Sequence, residues 1–255
     1  MTSGTSRCGA LALAAMTGLP DVRRAADRAA TSTPWLSSRH SFSFNDYYDP
    51  DNTHHGLLLV NNDDVVQPGA GFDTHPHRDA EIITWVLSGS LSHRDSMGNS
   101  GVIVPGLAQR MSAGSGVLHS EKNESDSAPV HFIQMWIMPD TPGADPGYQH
   151  HDIGDALTAG ALVTVASGRN PDAAITVGNA GATLFAARLE PGNSIEVPDA
   201  PYSHLFVAVG HLDLEGVGSL HTGDAVRYTG DGGHRLTASA PAEILIWEMH
   251  RRLGG

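Results

Sequence analysis

Short apolar runs, separated by glycine, proline and small polar residues, make up most of this chain. Serine and phenylalanine alternate over residues 41–44, which predicts a short strand with both aromatic rings on one face. Residues 56–60 and 128–137 predict strands buried in a core, and the polar residues 61–64 predict a turn. The pattern as a whole is typical of an all-β protein, and the 29 glycines and 15 prolines suit many turns between short strands.

Two further polar segments divide the first half of the chain. Residues 93–99 read as a polar hairpin turn, and for that reason we do not expect His93 to bind a metal. Residues 139–147 contain three prolines and predict a linker. We therefore place a domain boundary at the end of this linker, between residues 147 and 148.

The second half of the chain repeats features of the first. Residues 240–247 parallel the strand that ends at Trp136, and residues 218–224 parallel the turn at Pro105 and Gly106, which indicates duplication of one β-unit.

The charge balance excludes some classes of partner. The formal net charge is −13, which argues against direct nucleic-acid binding and against an anionic membrane surface. The one cysteine, Cys8, rules out an intrachain disulfide, and we expect a cytoplasmic protein. Residues 1–21 predict a disordered extension. The apolar run over residues 8–16 is too short to span a bilayer, and a secretory signal is the alternative interpretation.

Two pairs of metal-ligating residue types stand at i, i+2 spacing. They are His75 with His77, and His119 with Glu121. Side chains at i and i+2 of a strand point to one face, so each pair can project into one interior. A single pair is common by chance, whereas two pairs in one strand-rich stretch predict a site for a divalent first-row transition metal. Pro76 lacks an N–H group and fits an edge strand, a bulge or a strand start.

Four longer motifs carry a resemblance to a known family. They occupy residues 38–44, 74–79, 93–98 and 112–121 and read SRHSFSF, THPHRD, HRDSMG and SAGSGVLHSE. In these motifs, and over nearly the whole chain from Val22, the sequence resembles the pirin family of the cupin superfamily. Two positions depart from the family pattern, since Leu107 stands where many members have Asp and Arg110 where many have Trp.

The resemblance implies a bicupin fold, with two tandem cupin β-sandwich barrels of the jelly-roll type. Residues 22–147 would form the metal-binding barrel and residues 148–255 a barrel without metal. The resemblance also implies the metal ligands, which are His75, His77, His119 and Glu121. In the second barrel, alignment by eye places four residues at the ligand positions, and none can bind a metal through its side chain: Pro198, Ala200, Leu236 and Ala238. Four histidines of the second half are scattered along the sequence, which predicts that no two of them form a pair on one face: His204, His211, His221 and His234.

Glu81 is a rival carboxylate, because many cupins take a ligand from this position of the first motif. It follows His77 by four residues and would share its face on a continuous strand. Glu81 is then either a hydrogen-bond partner that orients a histidine or a satisfied polar residue near the rim.

Relatives that look like this chain cleave flavonols such as quercetin with dioxygen. The resemblance therefore implies a metal-dependent quercetin 2,3-dioxygenase in which Glu121 is the catalytic base. Iron(II) is the first expectation for the metal, and nickel, copper or manganese fit the same ligands. The alternative hypothesis is a metal- or redox-responsive regulator that acts through a protein partner, because a fold does not fix a function.

Overall fold

The computed structural model describes residues 19–158 and 160–254, and these are folded almost entirely into β-strands. The strands of the first half are β1 (Asp21–Arg23), β2 (Ala29–Ser32), β3 (Leu36–His40), β4 (Leu58–Val66), β5 (Gly71–His77), β6 (Glu81–Ser88), β7 (Leu91–Asp95), β8 (Ser100–Ile103), β9 (Leu107–Ser112), β10 (Val117–Lys122), β11 (Val130–Ile137) and β12 (Gly147–Asp152). The strands of the second half are β13 (Val163–Ser167), β14 (Ile175–Thr176), β15 (Ala182–Leu189), β16 (Ser194–Glu196), β17 (Ala200–Val209), β18 (His211–Leu214), β19 (Gly218–His221), β20 (Ala225–Asp231), β21 (Arg235–Ala238) and β22 (Ala242–Met249).

Helical structure is limited to a 3₁₀ turn at Ala25–Asp27 and a short helix, α1, at Gly154–Leu157. Over residues 19–158 and 160–254, neither the length nor the apolar character of any helix is sufficient to cross a membrane. Residues 1–18 lie outside the described range, and with them almost all of the predicted N-terminal extension.

Each half of the chain builds one large and one small sheet, in matching strand order. The first half has the seven-stranded sheet β12-β9-β6-β11-β4-β3-β2 and the four-stranded sheet β5-β10-β7-β8. The second half, joined by β1 from the start of the chain, has β1-β20-β17-β22-β15-β13-β14 and β16-β21-β18-β19. Five strands of the first large sheet, β9-β6-β11-β4-β3, therefore correspond one by one to the strands β20-β17-β22-β15-β13 of the second. The predicted all-β bicupin with a duplicated unit is confirmed.

The two units exchange edge strands. β1 comes from the start of the chain and pairs with β20 of the second unit. β12 follows the proline-rich linker and pairs with β9 of the first unit, where it occupies the place that β1 takes in the second. Hydrogen bonding therefore crosses the predicted division between residues 147 and 148, which stays a prediction.

The predicted turn at residues 61–64 is wrong, because these residues lie inside β4. Asn62 and Asp64 face the barrel interior and are both 2% exposed. Their neighbours on β3 and β11 pair with them along the whole segment, and these tertiary contacts override the local turn preference of Asn and Asp. A polar stretch is thus built into the interior of the first barrel.

The interior of the first barrel consists of layers. One apolar layer includes Leu91, Ile103 and Phe132, and another includes Ile82 and Met111. Polar side chains from several strands lie in the same interior. The opposite face of the large sheet packs against the second unit in one continuous core that includes residues of both.

The interior of the second barrel is filled with apolar side chains. Its core contains Leu205, Leu212, Val226, Leu236 and Ala238, together with other buried aliphatic residues. Among the described residues, this apolar interior contrasts with the partly polar interior of the first barrel.

Candidate metal centre

The candidate centre lies where β5 and β10 pair. β5 is an edge strand of the four-stranded sheet, so Pro76 sits at an edge, as predicted. His75 is directly opposite His119 in the antiparallel register. Gly71 begins β5 with φ 149°, and a Cβ at this position would lie 2.2 Å from the backbone oxygen of Glu121. Only glycine allows the strand to approach β10 this closely.

Three imidazoles from these strands meet in one cluster. The ring centroids of His75, His77 and His119 are 4.5–4.9 Å apart, and one ring nitrogen from each lies within 4.8 Å of the others. The Nε2 atoms of His119 and His75 are 3.1 Å apart. This is close to the separation expected for two imidazole nitrogens that bind the same ion, each at ~2.1 Å.

The hydrogen bonding of the rings leaves nitrogens free toward the centre. His75 Nδ1 donates to the backbone oxygen of Asp73 at 2.7 Å, which directs its Nε2 to the cluster as a lone-pair donor. Within the described residues, His77 Nε2 is buried and has no hydrogen-bond partner, and His119 presents its Nε2 to the cluster. A buried polar atom without a partner is rare, and at His77 it fits a metal ion.

The electrostatics keep two of the rings neutral. Burial, followed by the neighbouring imidazoles, lowers the pKa of His77 to about 4 and that of His119 to about 3. Neutral imidazole is the form that binds a metal. The residues present therefore fit a divalent transition metal.

Glu121 lies beside this cluster and is 2% exposed. One of its carboxylate oxygens lies within 4.8 Å of ring nitrogens of His119 and His93. Its Oε2 accepts a hydrogen bond from Gln134 Nε2 at 2.7 Å, and its Oε1 accepts one from the Thr84 hydroxyl at 3.3 Å. The large sheet thus holds the Glu121 carboxylate, although the backbone of Glu121 belongs to the small sheet.

The predicted placement of His93 in a turn is wrong. His93 lies on β7, is 1% exposed and is opposite Glu121 in register. The turn begins at Ser96, where Asp95 Oδ1 accepts the N–H groups of Met97 and Asn99. The His93 ring stacks on Tyr148 at 4.8 Å, and its Nε2 is 3.3 Å from Asp95 Oδ2. Alternation of Leu91, His93 and Asp95 was the sequence signal for this strand.

Glu81 is not on the face of His77, because a turn at Asp79, with φ 50°, separates β5 from β6. The Glu81 carboxylate accepts a hydrogen bond from the Ser112 hydroxyl at 2.8 Å and lies 3.9 Å from Arg110 Nε. Arg110 Nε donates to the backbone oxygen of Thr176 in the second unit. Glu81 and Arg110 therefore belong to the junction between the units. These contacts support the interpretation of Glu81 as a polar residue with satisfied hydrogen bonds, and not as a partner that orients a histidine.

A cavity of about 560 Å³ opens in front of the cluster. Its walls carry His75, His77 and Glu121, and four aromatic side chains surround the remaining space: Trp35, Phe44, Phe72 and Trp136. A cavity of this size suits a small aromatic molecule. Sequence reasoning did not identify Gln134, Thr84 or these aromatic walls; apart from Phe72 on β5 and Thr84 on β6, they come from segments distant in the chain from His75 and His77.

The second barrel differs from the prediction in one detail. His211 and His221 face each other across β18 and β19 with ring centroids 4.7 Å apart, so the prediction that no such pair exists is wrong. Both rings are exposed. Within residues 19–158 and 160–254, the groups of three potential ligands all lie in the first barrel.

Two cupin-type barrels with a histidine cluster in the first define a bicupin protein with a candidate metal centre. The family model described as Pirin matches residues 22–137, and the one described as quercetinase C-terminal cupin domain matches residues 164–249. The chain belongs to the pirin family.

Several relatives are similar over nearly their whole length. A Mycobacterium bovis protein, named provisionally as a quercetin 2,3-dioxygenase, is 62% identical over 240 residues, which cover 94% of this chain and 98% of that protein. An Escherichia coli K12 protein named quercetin 2,3-dioxygenase is 35% identical over 229 residues, which cover 89% and 97%. The structure of the Escherichia coli bacterial pirin YhhW in complex with nickel(II) matches with a TM-score of 0.83 and 32% identity, over 91% of this chain and 100% of that one.

Proposed function

We propose that this protein is a metal-dependent dioxygenase that cleaves quercetin-type flavonols with dioxygen. The observation that carries the proposal is the position of His75, His77 and Glu121 on the wall of a 560 Å³ cavity with aromatic sides, with His119 in the same histidine cluster. The names of the relatives support the same reaction. The substrates are then a small planar aromatic molecule and dioxygen.

The proposed ligands of the metal are His75, His77, His119 and Glu121, and the proposed ion is iron(II). Nickel(II), copper(II) and manganese(II) accept the same donors, and nickel(II) is present in the structure of the pirin YhhW. When bound, the metal supplies Lewis-acid and redox chemistry toward a chelating substrate and dioxygen.

Glu121 is the proposed catalytic base. One carboxylate oxygen accepts the proton of the flavonol 3-hydroxyl, which leaves the substrate oxygen anionic. The hydrogen bonds from Gln134 and Thr84 hold the carboxylate in one orientation during this transfer. A fixed acceptor lowers the barrier because no reorganisation is needed at the moment of reaction.

The aromatic walls would exclude water around the reacting groups. Trp136 packs edge-on against His77 with ring centroids 4.8 Å apart, and Phe44 packs against Trp136 at 5.6 Å. In such surroundings a charge on the substrate interacts more strongly with its partners than in water.

The test is oxygen-dependent loss of the quercetin absorption band. Protein is stripped of metal, reloaded anaerobically with each candidate ion, and assayed for turnover per bound metal. We expect turnover with one ion, loss of that turnover in Glu121→Gln, and full turnover in the control Glu190→Gln, which alters an exposed acid of the second unit. Absence of turnover with every ion at full occupancy would contradict flavonol cleavage and favour the regulatory hypothesis.

A further inference from the structure

A row of buried polar side chains crosses the large sheet of the first barrel. Gln109, Thr84, Gln134, Asn62 and His40 stand opposite one another on five adjacent strands, β9, β6, β11, β4 and β3. All five are buried. A polar row of this length inside a barrel is costly unless protein, water or a ligand satisfies it.

Protein groups satisfy only part of this row, since Gln109 Oε1 at one end has no hydrogen-bond partner in the described residues. Thr84 and Gln134 donate to Glu121, and His40 is 2.9 Å from Asn62 Oδ1 and 2.9 Å from the Thr31 hydroxyl. The middle of the row, between Gln134 and Asn62, adjoins a small recess.

This recess has a volume of about 30 Å³, enough for one water-sized group. Its polar lining includes Ser38, Asn62, Asp64 and Gln134. Four of its lining residues also line the 560 Å³ cavity, so the recess lies at the inner wall of that cavity: Phe44, Asn45, Phe72 and Gln134.

Asp64 is the group in this recess that most requires a partner. It is 2% exposed, and its Oδ1 has no hydrogen-bond partner in the part of the chain that the structure describes. Burial raises the pKa of Asp64 to about 7, and the Ser38 hydroxyl opposes this shift. A carboxyl group that is partly protonated at neutral pH pairs best with a group that can both donate and accept, such as a hydroxyl.

We propose that the recess beside Asp64 is a hydroxyl-recognition subsite, which takes a ring hydroxyl of a polyhydroxylated aromatic substrate. The aromatic walls of the large cavity hold the ring system, and Asp64 bonds the hydroxyl at its inner end. Gln134 lines both spaces and contacts Glu121, so a single molecule can reach both carboxyl groups. This inference rests on the proposed function and names the substrate feature that the cavity selects.

The experiment compares the binding of three flavonols that have no, one or two hydroxyls on the pendant ring: galangin, kaempferol and quercetin. Binding to the metal-loaded protein is measured anaerobically by tryptophan quenching, so no turnover is needed. In the wild type we expect kaempferol or quercetin to bind on the order of 10-fold more tightly than galangin, which corresponds to one buried hydrogen bond from a pendant-ring hydroxyl. Asp64→Leu should reduce this ratio to within about 2-fold, whereas Asp64→Asn, which retains hydrogen-bonding groups, should keep most of it.

Two further variants keep the result interpretable. Asp63→Asn is the matched control, because Asp63 is adjacent on β4 but contacts His131 instead of the recess. Ser38→Val narrows the same recess from β3 and should also reduce the ratio, which gives a second measurement if Asp64→Leu does not fold.

The outcomes separate this inference from the proposed reaction. A ratio unchanged in Asp64→Leu and Ser38→Val, or no preference in the wild type, would mean that the recess holds only water and would overturn the inference. Absence of any flavonol binding would overturn it as well. A preference that depends on Asp64, found without oxygen-dependent turnover, would support the subsite while contradicting the proposed reaction.

Discussion

Gln134 donates a hydrogen bond of 2.7 Å from its Nε2 to Oε2 of Glu121, and a third residue fixes that orientation. The Nε1 atom of Trp136 is 3.2 Å from Gln134 Oε1. Because the indole N–H can only donate, the amide oxygen of Gln134 faces Trp136 and its nitrogen faces the carboxylate. The cavity wall thereby sets the position of the proposed base.

Gln134→Met should slow turnover while leaving the bound metal unchanged. The substitution removes a hydrogen bond to a charged group, worth ~1.5–3 kcal/mol, so we expect kcat to fall on the order of 10-fold or more. Trp136→Phe, which removes the orienting N–H but keeps the amide of Gln134 that donates to Glu121, should give a smaller decrease. Steady-state assays on samples of known metal content check this, and an unchanged kcat in Gln134→Met would show that Glu121 needs no such support.

His77→Gln and His93→Gln should differ sharply in metal content. His119 belongs to two possible ligand groups, one with His75 and His77 and the other with His93 and Glu121. The His77 and His93 rings each have one nitrogen without a partner in the described residues, but His77 lines the cavity whereas His93 stacks on Tyr148, so we expect His77→Gln to lose most of its metal. His93→Gln should stay close to one ion per chain at saturating metal, with weaker affinity. Metal analysis of the purified variants decides this, and the reverse pattern would assign the ion to the other group.

The part of the site that could be predicted from the sequence is the part encoded by local spacing. His75 with His77, and His119 with Glu121, stand two residues apart on single strands, and strand periodicity alone places each pair on one face. The family motifs then indicated the bicupin fold, which the strand order confirms.

The remainder of the site depends on pairing between distant strands. Gln134 meets Glu121 because β11 lies in the large sheet across the barrel, and no local pattern contains that information. The polar residues Asn62 and Asp64 were mistaken for a turn because their intrinsic preferences are those of turns. Their burial follows only from the strands packed on both sides of β4.

Trp85→Phe should destabilise the protein by disrupting a contact between the units. Trp85 Nε1 donates to Glu243 Oε1 at 2.6 Å, and Arg188 Nε donates to Glu243 Oε2 at 2.6 Å. Loss of the indole N–H leaves a largely buried carboxylate with one partner fewer, so we expect the free energy of unfolding to fall by ~1.5–3 kcal/mol. Urea denaturation measures this, with Trp35→Phe at the cavity wall as the control. A loss no larger than that of the control would assign Trp85 a packing role alone.

His204 provides a test of stability against pH that does not involve the metal ligands. Its ring lies 5.9 Å from that of Phe42 in the first unit, and within the described residues neither ring nitrogen has a hydrogen-bond partner. Burial, followed by the positive charge of Arg227, holds the pKa of His204 well below its ordinary value of 6.5. The imidazole is therefore neutral in the folded protein at neutral pH.

His204→Leu should make the stability of the protein less sensitive to acid. In the unfolded chain His204 takes up a proton near pH 6.5, whereas the folded protein does not, so the unfolded state binds more protons as the pH falls. This one proton lowers the free energy of unfolding by up to ~1.4 kcal/mol for each pH unit below pH 6.5.

We expect the metal-stripped wild type to lose stability from pH 7 to pH 5. His204→Leu should lose less stability over the same range, and the difference should be the free energy contributed by the one proton that His204 takes up on unfolding. Urea denaturation at pH 7, 6 and 5 measures both slopes, and the exposed His54→Gln should match the wild type. Equal slopes for wild type and His204→Leu would mean that His204 is already protonated in the folded protein or that water reaches it.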